Sequence, residues 1–97
     1  MNERGCESTE SPEPLPELFT ATEWAALAKA ADLTTRQIQV ARLICRGYRK
    51  DAIAQALGIK SNTVRMHAND LYRRLNVHDR VGVVVRLVLV HRKAKRH

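Results

Sequence analysis

The stretch "DAIAQALGIKSNTV" at residues 51–64 limits what this chain can fold into more than any other part of it. Ile53, Ala54 and Leu57 form the apolar side of a helix of barely two turns, Gly58 breaks it, and a new helical pattern starts shortly after. Two helices joined so tightly cannot run antiparallel and must cross steeply. Ala54 is small where the backbones approach, Gly58 can take positive φ in the turn, and Ile59 and Val64 plug the angle. An alanine, a glycine four residues on and a β-branched residue six after that is the spacing of a helix-turn-helix.

The second helix of that pair, "SNTVRMHANDLYRRL" at residues 61–75, places Val64, Ala68, Leu71 and Leu75 on one apolar stripe. The opposite side gathers Asn62, Arg65, Met66, Asn69 and Arg73, with no carboxylate among them. Upstream, "LTTRQIQVARLICRG" starts at Thr34 with Gln37 in capping-box spacing and ends at Gly47, and its apolar residues cover more than half the circumference. Cys45 is therefore expected as a small core residue rather than a nucleophile. Residues 20–32, "TATEWAALAKAAD", form a short amphipathic helix with a second capping box, Thr20 and Glu23, and with Trp24 as its anchor to the domain. Residues 1–19, with Pro12, Pro14, Pro16 and scattered glutamates, have almost nothing to bury and read as an acidic disordered arm.

Charge follows the same division. Residues 1–32 hold seven carboxylates against two cations, whereas residues 33–97 hold fifteen Lys and Arg against three Asp. A segment that basic attracts polyanions, nucleic acid first among them, and the acidic arm is a candidate to fold back and compete with phosphate. Cys6 and Cys45 are far apart and form no CxxC, so neither a disulfide framework nor a zinc cluster is expected, and a reducing, cytoplasmic setting fits. His67, at the edge of the apolar stripe, has no second ligand one turn away and is expected to pack. The start lacks an apolar core of a secretory signal, and the longest apolar run, "VGVVVRLVLV", is too short to span a membrane. No paired carboxylates, activated nucleophile or phosphate-cradling glycine loop stands out, so no enzyme and no cofactor is expected.

After Asp79, a potential cap, eight of the ten residues from Val81 to Val90 are apolar. Six of these are valines, which fit a strand by local propensity. As a helix, the segment is more apolar than one small core can hide, which calls for a second chain. The terminal "HRKAKRH" suits either phosphate contact or the negative end of a helix dipole.

Taken together, these residues resemble the LuxR/NarL/GerE-type DNA-binding domain of bacterial transcription regulators over about residues 33–90. The family's opening "LTxRE" stands here as Leu33, Thr34, Thr35, Arg36 and Gln37. Its later pattern appears as Gly47, Ile53, Ala54, Leu57, Ile59, Thr63, Val64, His67, Leu71, Arg74, Leu75, Val77 and Arg80. Gln37 replaces the usual Glu, and Arg49 and Lys60 stand where the family often starts helices with Ser or Thr, leaving Ser61 as a substitute cap. The resemblance implies an all-α fold: a four-helix helix-turn-helix domain over 33–97, preceded here by the extra helix 20–32 and the arm 1–19. With so little chain ahead of it, the module is expected to stand alone. The family's last helix is its dimerisation element, which favours helix over strand for residues 80–91.

The implied function is a sequence-specific regulator of transcription, a homodimer on an inverted repeat with helix 61–75 in the major groove of double-stranded DNA. Arg65 can fork onto guanine, Asn69 pair with adenine and Met66 lie against a thymine methyl, while Lys50, Asn62, Thr63 and Arg73 suit phosphates. Val81, Val84, Val85 and Val88 are the expected dimer contacts. The alternative is a protein-interaction module whose helix 80–91 binds RNA polymerase or another regulator.

Overall fold

Two capping boxes set the first half of the fold. In the computed structural model, which describes residues 15–95, the Glu23 amide donates to Thr20 Oγ1 at 3.1 Å while the Thr20 amide donates to Glu23 Oε1 at 2.8 Å, opening α1 (Ala21–Ala31). Thr34 and Gln37 repeat the arrangement at 3.1 and 3.0 Å and open α2 (Thr35–Cys45). Gln37 is also buried, so the neutral amide found where a carboxylate is usual satisfies its cap without bringing a charge out of water.

The helix-turn-helix follows as α3 (Lys50–Leu57) and α4 (Ser61–Leu75), with Gly58 at φ 67° between them. Gly47, at φ 85°, ends α2 as its position in the sequence suggests. Asp32 and Asn76 end α1 and α4 in the same left-handed region, which these two residue types reach more readily than other side chains. Ser61 does not substitute as a cap: it is the first residue of α4, and its hydroxyl donates to Asp51 Oδ1 at 2.7 Å, tying the first turns of α3 and α4 together. Neither Arg49 nor Lys60 provides a side-chain cap, so α3 and α4 start without the capping oxygen that opens α1 and α2.

The last segment is helical, α5 (Arg80–Lys95), so burial overrides the valines' strand propensity. Asp79 Oδ1 caps it by accepting from the Gly82 amide at 2.8 Å. Val83 and Leu87 are fully buried against a core built from Val40, Ala41, Ile44, Ile53, Val64, Leu71 and Leu75. Helix α2 packs on α4 and α5, α3 lies on α4, and α1 closes the far side against α5 and α2. Among the described residues there is no strand, and no helix is long and apolar enough to cross a membrane.

Gly82 is where α5 meets the preceding turn. A Cβ there would stand 2.7 Å from Val77 Cβ, a contact no flexible side-chain end can relieve. Gly82→Ala is therefore expected to destabilise the domain by about 1–3 kcal/mol despite alanine's better helix propensity, read as a lower urea midpoint at unchanged slope.

The reading of residues 1–19 as an arm without structure needs correction at its end. Phe19 is buried, edge-on to Trp24 at 5.2 Å and beside the His91 ring at 5.1 Å. Glu17 accepts from Trp24 Nε1 at 3.1 Å and faces Arg42 at 3.4 Å, and Leu15 exchanges hydrogen bonds with Arg46. One aromatic among prolines and glutamates is enough to dock a short strap when a tryptophan waits to receive it. Residues 1–14 lie outside the described part. Cys45 is partly buried and packs against the core from its edge: burial, and secondarily the Glu17 carboxylate, push its thiol up from 9.0 to about 11, so it stays protonated near neutral pH.

Candidate nucleic-acid interface

Because Val64, Leu71 and Leu75 are buried in the core, helical winding turns the other side of α4 outward. Asn62, Arg65, Met66, Asn69 and Arg73 are all exposed, and Thr63 is half-buried at the edge. Met66 is 65% exposed, an apolar side chain that gains nothing in water from that position. Arg65 donates to Asn62 Oδ1 at 3.0 Å, which joins two of the predicted residues and holds the guanidinium along the amino-terminal half of the helix.

Arg65 and Asn69 meet Lys50, the first residue of α3, around a hollow of about 230 Å³. Ile44, Ile53, Val64 and Ala68 form its floor, and Tyr72 and Arg80 complete its rim. Arg80 is held there by a hydrogen bond to the Tyr48 carbonyl, so the opening residue of α5 is locked to the α2–α3 corner. Among the described residues, three cations and a phenol line this hollow and no carboxylate does. The one acidic residue in α3, Asp51, already accepts from Ser61. The two guanidinium forks and the ammonium of such a rim offer several charged N–H donors and repel nothing anionic, which suits phosphate oxygens.

Two of these rim residues escaped the reading of the sequence. Tyr72 sits in "LYRRL" next to Leu71 and looks like a continuation of the stripe, and Arg80 carries only the signal of its place in the family pattern. Both acquire their position from the way α5 starts beside α4, which a helical wheel of either one alone cannot show.

Arg73 stands apart from this group. Its guanidinium pairs with Asp70 at 2.8 Å, one turn back, and it lines a separate polar notch with Gln37, Asp70 and Arg74. The carboxylate-free face thus ends at Asn69, since Asp70 reaches round to the arginine. Both partners are well exposed, and a bridge of this kind contributes little enough to exchange for another anion.

On α5, Val81, Val85 and Leu89 are 70%, 51% and 48% exposed, one turn apart on a single line. Val84 and Val88 are half-buried at its flank, Val88 packed against the core. Of the four predicted contacts, two lie on the exposed line, and Leu89, hidden in an all-apolar run, belongs with them. Arg86, Arg92 and Lys93 are exposed on the same helix. Among the described residues no group of His, Cys, Asp and Glu is arranged to hold a metal ion.

Comparison with known proteins brings this geometry to a family. The family model for bacterial regulatory proteins, luxR family, matches residues 31–87, more than half of the chain. The HTH-type transcriptional regulator MalT of Vibrio campbellii is 36% identical over 59 residues, covering 61% of this chain and 6% of the relative. The protein of the same name from Yersinia pestis is 36% identical over 67 residues, 69% of this chain and 7% of its own length. The chain therefore spans only a small fraction of the curated relatives it matches. No solved structure matches it.

Proposed function

Because the chain belongs to the LuxR family of bacterial regulatory proteins, we propose that it is a regulator of transcription that reads double-stranded DNA by laying the exposed side of α4 in the major groove. The observation that carries this reading is the exposed cationic and amide surface of Asn62, Arg65 and Asn69 on α4, continued by Lys50 and Arg80 around a hollow that no carboxylate lines among the described residues. Arg65 forks onto guanine, Asn69 pairs with adenine and Met66 rests on a thymine methyl. Lys50, Asn62 and Thr63 hold phosphates, joined by Arg80 and Tyr72 at the hollow, while Arg73 contributes only by giving up Asp70.

The line of Val81, Val85 and Leu89 supports a homodimer through α5. A twofold pair of such domains presents its α4 helices about 34 Å apart and asks for an inverted repeat. The same line also supports a second reading, in which α5 docks on RNA polymerase or another regulator.

Selection of bound duplexes from a random library at about 150 mM salt, where screening weakens nonspecific attraction, separates the two. An enriched inverted repeat is the expected result. Binding that appears only at low salt, with no enriched sequence, would overturn the DNA-reading proposal and leave the protein-docking one.

A further inference from the structure

The first described residue, Leu15, is held at a fixed point of the domain. Leu15 donates its amide to the Arg46 carbonyl at 3.2 Å and accepts from Arg46 Nε at 2.7 Å. Its side chain lies over Gly47, 3.7 Å from where a Cβ there would stand. The next residue, Tyr48, gives its carbonyl to Arg80, and Lys50 opens α3 two positions later. The anchor of Leu15 is therefore the corner that also carries Lys50 and Arg80, two of the three cations of the hollow. The strap from Leu15 to Phe19 makes that point firm, because Glu17 and Phe19 clamp it onto Arg42, Trp24 and His91.

The fourteen residues before Leu15 are anionic in composition: Glu3, Glu7, Glu10 and Glu13 stand against Arg4. Fourteen residues reach up to about 45 Å when extended, so its carboxylates have the rim of the hollow well within range. A tethered ligand acts at an effective concentration of about a millimolar, enough for weak charge contacts to matter.

We propose that residues 1–14 dock on the Lys50–Arg65–Arg80 hollow of their own domain, carboxylates against the cations that meet DNA, and so hold down the protein's affinity for DNA. The proposal rests on the reading of this hollow as a phosphate seat. It makes the arm a built-in competitor that lowers specific and nonspecific affinity alike, since it withholds Arg65 from its guanine as well as Lys50 and Arg80 from phosphate. Being electrostatic, the competition fades as salt rises.

The test compares the full chain with a variant in which Glu3, Glu7, Glu10 and Glu13 are all replaced by Gln, leaving Leu15–Phe19 and the fold untouched. The neutral-arm variant is expected to bind random duplex about three- to tenfold more tightly at about 50 mM salt, the difference shrinking below about twofold at 300 mM. In parallel, without DNA, a peptide of residues 1–14 is titrated into the chain lacking residues 2–14 and followed by amide chemical shifts. Shifts centred on Lys50, Arg65, Tyr72 and Arg80 are expected. Equal affinities at low salt overturn the proposal, as do shifts centred elsewhere. Shifts at the hollow with no DNA binding by either chain would keep the docking and overturn the phosphate-seat reading instead.

Discussion

Arg65→Ala is expected to lower affinity for the selected inverted repeat by about fivefold to 150-fold per half-site, with the loss confined to one base pair of each half. The range corresponds to about 1–3 kcal/mol for a bidentate arginine–guanine pair. The fold has no stake in the side chain. Arg65 is exposed, its only described hydrogen bond is to the equally exposed Asn62, and alanine is the better helix former. Thermal unfolding should therefore stay within a few degrees of the parent while binding falls. Lys50→Ala provides the contrast: a loss roughly equal across sequences and a salt dependence flatter by about one unit. If Arg65→Ala gave that second pattern, its guanidinium would be on a phosphate and the base-reading role would fall to Asn69 and Met66.

How much of this site could be read from the sequence depends on whether one helix or several create it. The face of α4 is a property of a single helical period, so Asn62, Arg65, Met66 and Asn69 emerge outward once Val64, Leu71 and Leu75 are recognised as core. The turn at Gly58 and both capping boxes are equally local, and they appear where side-chain chemistry puts them. Arg80 and Tyr72 enter the site only because α5 begins against α4, and no local pattern signals that. The strap failed for a different reason. Proline and glutamate dominate residues 1–19, but Phe19 finds a ready-made aromatic partner in Trp24, and a single buried ring contributes more than the surrounding residues' preference for water removes locally. In α5 the difficulty was excess: eight apolar residues in ten offer several possible faces, and only packing on Val83 and Leu87 turns Val81, Val85 and Leu89 outward together.

That outward line carries the second large expected effect. Val85→Asp should leave the monomer folded, because Val85 is already half exposed and aspartate in the middle of a helix costs only about half a kcal/mol. In a twofold dimer through α5 the same substitution brings two carboxylates together in an apolar seam, where each is stripped of water beside a like charge. The neighbouring Arg86 and Arg92 do not rescue it: cations that pair with the carboxylate across the seam would themselves have to be drawn out of solvent. Sedimentation should then show a monomer at concentrations where the parent is a dimer. Affinity for the inverted repeat should fall by about 10²–10⁴, the advantage of linking two sites, while affinity for an isolated half-site stays level. The comparison between full and half-site duplexes is the decisive part, because a folding defect would weaken both. A variant that remains dimeric would move the interface away from α5. A parent that is monomeric throughout, yet loses regulatory activity with Val85→Asp and keeps half-site binding, would assign the same valine line to the polymerase or another regulator.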